Sequence, residues 1–319
     1  MPERTFKITD LANPEWFKDT KQGSIWITCC RTFRISEEAI PEGIKTLDFR
    51  DLKVVFLSGS VKYYDSNKLK IQFETETKWR VDASDYKEQD TPRGIYTLFV
   101  APFDKGFTHG NEAETRAKIS SYLGFVAAFQ GRNIAHHRVF ESIFLFPEDK
   151  VSNFSPVVEN PFLFPTPSLS ETALNLIHSA NQNLLLFEES KRNRTLLSLR
   201  WFEQALFDSG IDAFLKFWIA VETIAMPDTD IRPLNESLAK AYGETIQNIQ
   251  DRFRIGRLFG LRSKIVHEGL IAPIHFHLLK YAEALYADSL CEFLGISSQR
   301  RLEQMVNTPE FDLMTLLPK

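Results

Sequence analysis

Apolar and polar positions follow two different rhythms along this chain. Up to about residue 105, short runs of β-branched and aromatic residues are separated by Asp/Ser/Asn/Pro/Gly clusters, which predicts strands over 24–35, 52–64, 68–81 and 94–103. Within them "KIQFETETKW" alternates polar and apolar residues, as a half-solvated antiparallel strand does. The spacing over 111–131 then predicts a helix with acidic residues in its first turn and Gly131 at a left-handed cap. "RVFESIFLF" (138–146) predicts a return to the sheet. Residues 1–150 therefore read as a strand-rich α+β domain.

Proline-rich and aperiodic, 146–170 reads as a segment packed on a domain rather than floating free, and 151–169 is assigned as linker. From 170 to 319 the pattern becomes helical. It predicts successive helices ended by Gly210, Pro227, Gly269 and Gly295, and hence a bundle of five or six helices. The predicted fold class is α+β, with a mixed strand-rich domain followed by an all-α bundle.

Composition adds little chemistry. The chain has 319 residues and a net charge of −4, so whole-molecule charge gives no case for nucleic acid and a local basic patch would be required. Three cysteines, two of them adjacent, support neither a disulfide framework nor a spaced zinc site. Cys29 and Cys30 fall in a strand pattern and read as packing residues facing opposite ways. The start "MPERTFKITD" lacks an apolar signal core and no apolar run is long enough to span a bilayer, so a cytoplasmic protein without membrane contact is expected. Phosphate-loop, dinucleotide, metalloprotease and nucleophile-elbow motifs are absent, and no cofactor or metal is expected. His275 and His277 point to different sides of a helix and read as surface or capping residues.

The segment "LRSKIVHEG" (261–269) is the main candidate for chemistry. At roughly 100° per residue, Ile255, Leu258, Phe259, Ile265 and Val266 share an arc of about 120°, with Arg262 near its middle. An inward-facing guanidinium is costly unless paired, and Glu222 on an apolar helix is the predicted partner. His267 lies about 140° from Arg262, so the pair meets only if His267 turns back at Gly269 or a second protomer completes the site. The apolar residues around the arginine favour the second arrangement. Arg252, Arg254, Arg257, Arg262 and Lys264 form a local basic patch suited to a phosphodiester backbone. The plain alternative is that His267 complements the helix dipole and Gly269 closes the helix.

"RWFEQALFDSGIDAFLKFWIAVETI" followed by "RIGRLFGLRSKIVHEG" resembles the HEPN superfamily, and within it the Apea-like HEPN domains, over about 170–300. The resemblance implies a helical bundle dimerising through the motif helices and a metal-independent endoribonuclease acting as a defence or toxin effector. It implies that Arg262 binds the scissile phosphate and that His267 is the general base or acid for attack by the 2′-hydroxyl. Glu222, Ser263 and Lys264 would support that pair, while Arg254 and Arg257 would contact RNA. Active members often carry Asn, Asp or His after the arginine; this chain has Ser263. The expected partners are RNA, a second copy of the chain, and a regulatory protein or antitoxin. "GRNIAHH" repeats the spacing with Arg132, Asn133 and His137, and is expected to be a loop or an auxiliary RNA contact. The competing expectation is a non-catalytic binding or scaffold protein in which Arg262 and His267 are structural.

Overall fold

A computed structural model describes residues 5–6, 11–17, 23–32, 38, 40–75, 78–103, 109–132, 134, 138–146, 150–156, 171–226, 228, 230–309 and 311–318. The architecture is α+β, with strands in the N-terminal half and mostly helices in the C-terminal half. The chain divides into two compact units, Met1–Ile119 with His136–Leu174, and Ser120–Ala135 with Asn175–Lys319.

The first unit is built on one sheet. Its strands are β1 (Thr5–Phe6), β2 (Gly23–Arg31), β3 (Ile44–Asp48), β4 (Lys53–Thr75), β5 (Lys78–Asp90), β6 (Gly94–Phe103), β7 (Arg138–Phe146) and β8 (Lys150–Pro156). The order β1-β4-β6-β2-β7-β8, with β3 and β5 also paired to β4, is antiparallel apart from β1 on β4. Strand β2 is buried on both faces, which is why its sequence reads as a near-continuous apolar run. Ile25, Ile27 and Cys29 pack with Val55, Leu57, Leu98, Val100, Phe140 and Phe144 on one face. Cys30 is buried too, and none of the cysteines is in a disulfide.

Two expectations change here. The predicted break at 65–67 does not occur: β4 runs on to Thr75 and pairs with β5 from Lys62↔Asp90 to Thr75↔Lys78. A cross-strand ladder that skips only Asn67 in this stretch outweighs the turn-forming residues. The start of the expected linker is also strand, since β8 pairs with β7. The remainder of the linker, 157–169, lies outside the described residues.

Helix α1 (His109–Gln130) follows β6 and ends at Gly131, whose φ of +89° is the expected left-handed cap. Its first half belongs to the sheet unit, where the Arg116 guanidinium sits 4.6 Å from the Trp26 ring. Its second half belongs to the helical unit, where a Cβ at Gly124 would lie 2.2 Å from the Leu199 carbonyl oxygen.

The helical unit continues with α2 (Glu171–Leu186), α3 (Glu189–Phe207), α4 (Gly210–Ala225), α5 (Arg232–Tyr242), α6 (Ile246–Phe253), α7 (Ile255–Glu268), α8 (Phe276–Phe293), α9 (Arg301–Val306) and α10 (Leu313–Leu316). Gly210 opens α4 instead of closing α3, which ends at Phe207. Phe202 of α3 stacks on Tyr286 of α8 at 4.4 Å, and Ser198 Oγ lies 2.7 Å from Ala220 O and 2.9 Å from Tyr286 Oη. These contacts fasten α3, α4 and α8 together and give the Ser198 hydroxyl and the Tyr286 phenol partners inside the core. The apolar helix α4 is therefore central, as its sequence implies, while Lys216 near its start bonds Asp208. Among the described residues no helix is long and apolar enough to cross a membrane.

Candidate functional site

The stretch expected as one helix over 250–267 is two. Arg254 takes φ +50°, ψ +37°, ending α6 and starting α7. A left-handed non-glycine residue cannot continue a right-handed helix, so the axis breaks there. At the other end Gly269 takes φ +67°, and the N–H groups of Gly269 and Leu270 both donate to Lys264 O. That closes a carbonyl which the helix would leave orphaned.

Helix α7 buries Ile255, Leu258, Leu261 and Ile265. This face is rotated from the predicted one: Leu261 joins it, whereas Val266 is 48% exposed. Arg262 lies at its margin, with its side chain 21% exposed. Across from it, on α4, Glu222 pairs with Arg262: Nη2 donates to Oε2 at 3.3 Å, and Nε lies 3.2 Å from Oε1. The predicted Arg262–Glu222 pairing is therefore present. Trp218, one turn earlier on α4, donates its indole N–H to Glu222 Oε1 at 2.8 Å. Its ring packs 6.1 Å from Phe259 of α7.

Arg262 Nη1 reaches His267 Nε2 at 3.4 Å. The two side chains thus meet within one chain, contrary to the arrangement favoured from the helical wheel. The wheel counts Cα directions, but an arginine side chain is long enough to follow the helix surface toward its C-terminus. A guanidinium carries only donors, so a hydrogen bond at this contact requires Nε2 to be the acceptor nitrogen of the ring. Ser263 is half-buried one turn before the exposed His267. A partly buried Arg–Glu pair beside an exposed imidazole can hold an oxyanion and accept a proton at one place.

The basic patch is smaller than its sequence suggests. Arg252 is held by Glu244 at 2.8 Å and Glu303 at 2.7 Å, and the Glu303 bond and both carboxylates raise its already high pKa. Arg254, Arg257 and Lys264 are exposed. Arg257 and Lys264, seven apart, share a face roughly 140–160° from Arg262 on the helical wheel, so they do not flank it directly. Arg132 is engaged elsewhere: its Nε and Nη2 donate to Glu283 Oε2 at 3.1 and 2.9 Å, and its guanidinium lies 5.5 Å from the Phe276 ring. Asn133 and His137 lie outside the described residues. His275 caps α8, its Nδ1 accepting from His277 N at 3.2 Å, which is the capping role expected of it.

Trp218 is the residue that sequence reading missed. The signal was a tryptophan four positions before the glutamate on one helix, a spacing that brings both side chains to one face. Among the described residues no group of three or more His, Cys, Asp and Glu side chains is arranged to hold a metal. No protein-family model matches the chain, and comparison with curated proteins and with solved structures returns no similar protein.

Proposed function

We propose that the chain is an endoribonuclease of HEPN type, cleaving RNA without a metal at a site built from Arg262 and His267. The observation that carries this reading is the 3.4 Å approach of Arg262 Nη1 to His267 Nε2 at the exposed end of α7. The resemblance of 170–300 to Apea-like HEPN domains gives the same two residues their roles. Arg262 turns a guanidinium edge to the phosphate oxygens, which its planar fork fits. As the phosphate draws Nη1 away from it, His267 Nε2 is freed to take the proton of the ribose 2′-hydroxyl as O2′ bonds to phosphorus and the P–O5′ bond breaks. The 5′-oxygen leaves with a proton from an imidazolium, giving a 2′,3′-cyclic phosphate and a 5′-hydroxyl.

A homodimer would bring two such pairs to one cleft. The exposed side of α7 suits it: Val266 is 48% exposed, and nothing lies within 4 Å of a Cβ built at Gly256 or Gly260. Arg254, Arg257 and Lys264 would attract the RNA backbone from neighbouring faces. A defence or toxin role under a regulatory partner, in the cytoplasm, belongs to the same proposal.

The test is cleavage of single-stranded RNA in the presence of a chelator, with end analysis. Wild-type protein should leave cyclic-phosphate ends, and His267→Ala should reduce the rate by about 100-fold or more. Turnover surviving in both His267→Ala and Arg262→Ala would sink the assignment. One observation favours a second reading, a scaffold in which the pair is structural: Glu222 already ion-pairs with Arg262 and accepts a hydrogen bond from its Nη2. That reading expects no RNA turnover at all, and a marked loss of thermal stability in Arg262→Ala.

A further inference from the structure

We infer that Trp218 is a positioning residue for the Arg262–His267 pair, acting through Glu222; this rests on the catalytic reading of that pair. Trp218 is 1% exposed, and its indole N–H is its only side-chain hydrogen-bond donor. That donor is spent on Glu222 Oε1 at 2.8 Å, the shortest contact in the chain of bonds leading to His267. A carboxylate at the end of a glutamate side chain turns easily about its last torsion. The indole bond removes that freedom.

Glu222 in turn accepts from Arg262 Nη2 on Oε2 and holds Nε at ion-pair distance from Oε1, so the carboxylate lies along one side of the guanidinium and restrains its plane. With Nε and Nη2 held, Nη1 is the nitrogen left to face His267 Nε2 at 3.4 Å. Phe259 packs on the same indole from α7, so Trp218 touches both the carboxylate and the helix that carries the pair. A ring of this size would fill the core whatever it bonded. The N–H is the part with consequences for the site, because it decides where Glu222, Arg262 and finally the His267 proton sit.

The experiment uses the full chain with 15N-labelled histidine, reading the ring tautomer of His267 by NMR alongside RNA-cleavage kinetics. Trp218→Phe keeps an aromatic ring and removes the donor; Glu222→Gln keeps an acceptor for Trp218 and removes the charge that grips Arg262. In the wild type His267 should be protonated at Nδ1. Both variants should shift it toward Nε2 protonation and lower kcat about tenfold or more, with KM little changed and the melting temperature within a few degrees. Trp218→Phe leaving tautomer and rate at wild-type values would overturn the inference. So would a shift in Trp218→Phe that Glu222→Gln does not reproduce, since the effect would then bypass the glutamate. If the wild type cleaves no RNA, the catalytic reading fails on its own, and the tautomer shift still decides whether Trp218 positions the pair.

Discussion

Four donors converge on Asp288, which is fully buried in α8. Tyr242 Oη at 2.6 Å and Leu302 N at 2.9 Å reach Oδ2; Ser298 Oγ at 2.9 Å and Arg301 N at 3.2 Å reach Oδ1. Two of these are first-turn amides of α9, so a side chain from another helix does the work of an N-cap. Asp288→Ala would strand these donors, costing at least about 3 kcal/mol, and should lower the melting temperature by on the order of 10 °C. A drop under about 2 °C in a thermal melt would show that water or a rearrangement replaces the carboxylate. Asp288 was not legible in the sequence, because its partners come from 10 or more residues away and no periodicity records them. Arg262 was legible, since a cation inside an apolar arc is a conflict that the helical wheel exposes. Its meeting with His267 was not, because it depends on side-chain length and rotamer rather than on Cα angle.

Elements were read well where one signal dominated. Strand β6 matches its predicted span, 94–103, because Gly94 and Pro102–Phe103 bracket an apolar run interrupted only by Thr97. Helix α7 was read less well, because nothing in its composition announces that Arg254 adopts a left-handed conformation. That conformation costs a non-glycine residue roughly 1–2 kcal/mol, so Arg254→Gly should raise the melting temperature slightly. If Arg254 also contacts RNA, the same variant should weaken RNA affinity, measured by anisotropy at fixed salt. The crossing of α1 and α3 gives a sharper expectation. Gly124→Ala would place a methyl group 2.2 Å from Leu199 O, inside any tolerable contact, so the helices must part. A loss of about 1–3 kcal/mol is expected by chemical denaturation, and an unchanged midpoint would mean that the crossing is looser than described.

At the scale of the molecule, several ionisable groups are kept protonated by burial. Burial, and then nearby Asp288, push the Cys291 thiol up from 9.0 to about 12, and burial raises Tyr242, Tyr281 and Tyr286 above their ordinary 10.0. In the unfolded chain these groups ionise at their ordinary values; in the folded chain they do not. Their contribution to stability is therefore complete below about pH 9 and is lost progressively as pH rises through 9–12. The denaturation midpoint should be flat near neutrality and fall steeply in that alkaline window. A midpoint constant up to pH 11 would contradict this. The α+β class followed from the change of rhythm near residue 150, but the division of α1 did not, since a helix that runs unbroken through Ile119 reads as one element even though 109–118 is mostly polar and 119–129 mostly apolar. That division makes the two units interleaved along the chain: 120–135 falls between the two segments of the sheet unit. No single cleavage of the backbone can therefore release either unit whole. During synthesis the helical unit's first piece leaves the ribosome before the last two strands of the sheet, and must wait for 175–319 to complete it. A fragment starting at residue 170 would lack the strip bearing Gly124 and should be recovered as aggregate, whereas adding a peptide covering 120–135 should partly restore its solubility.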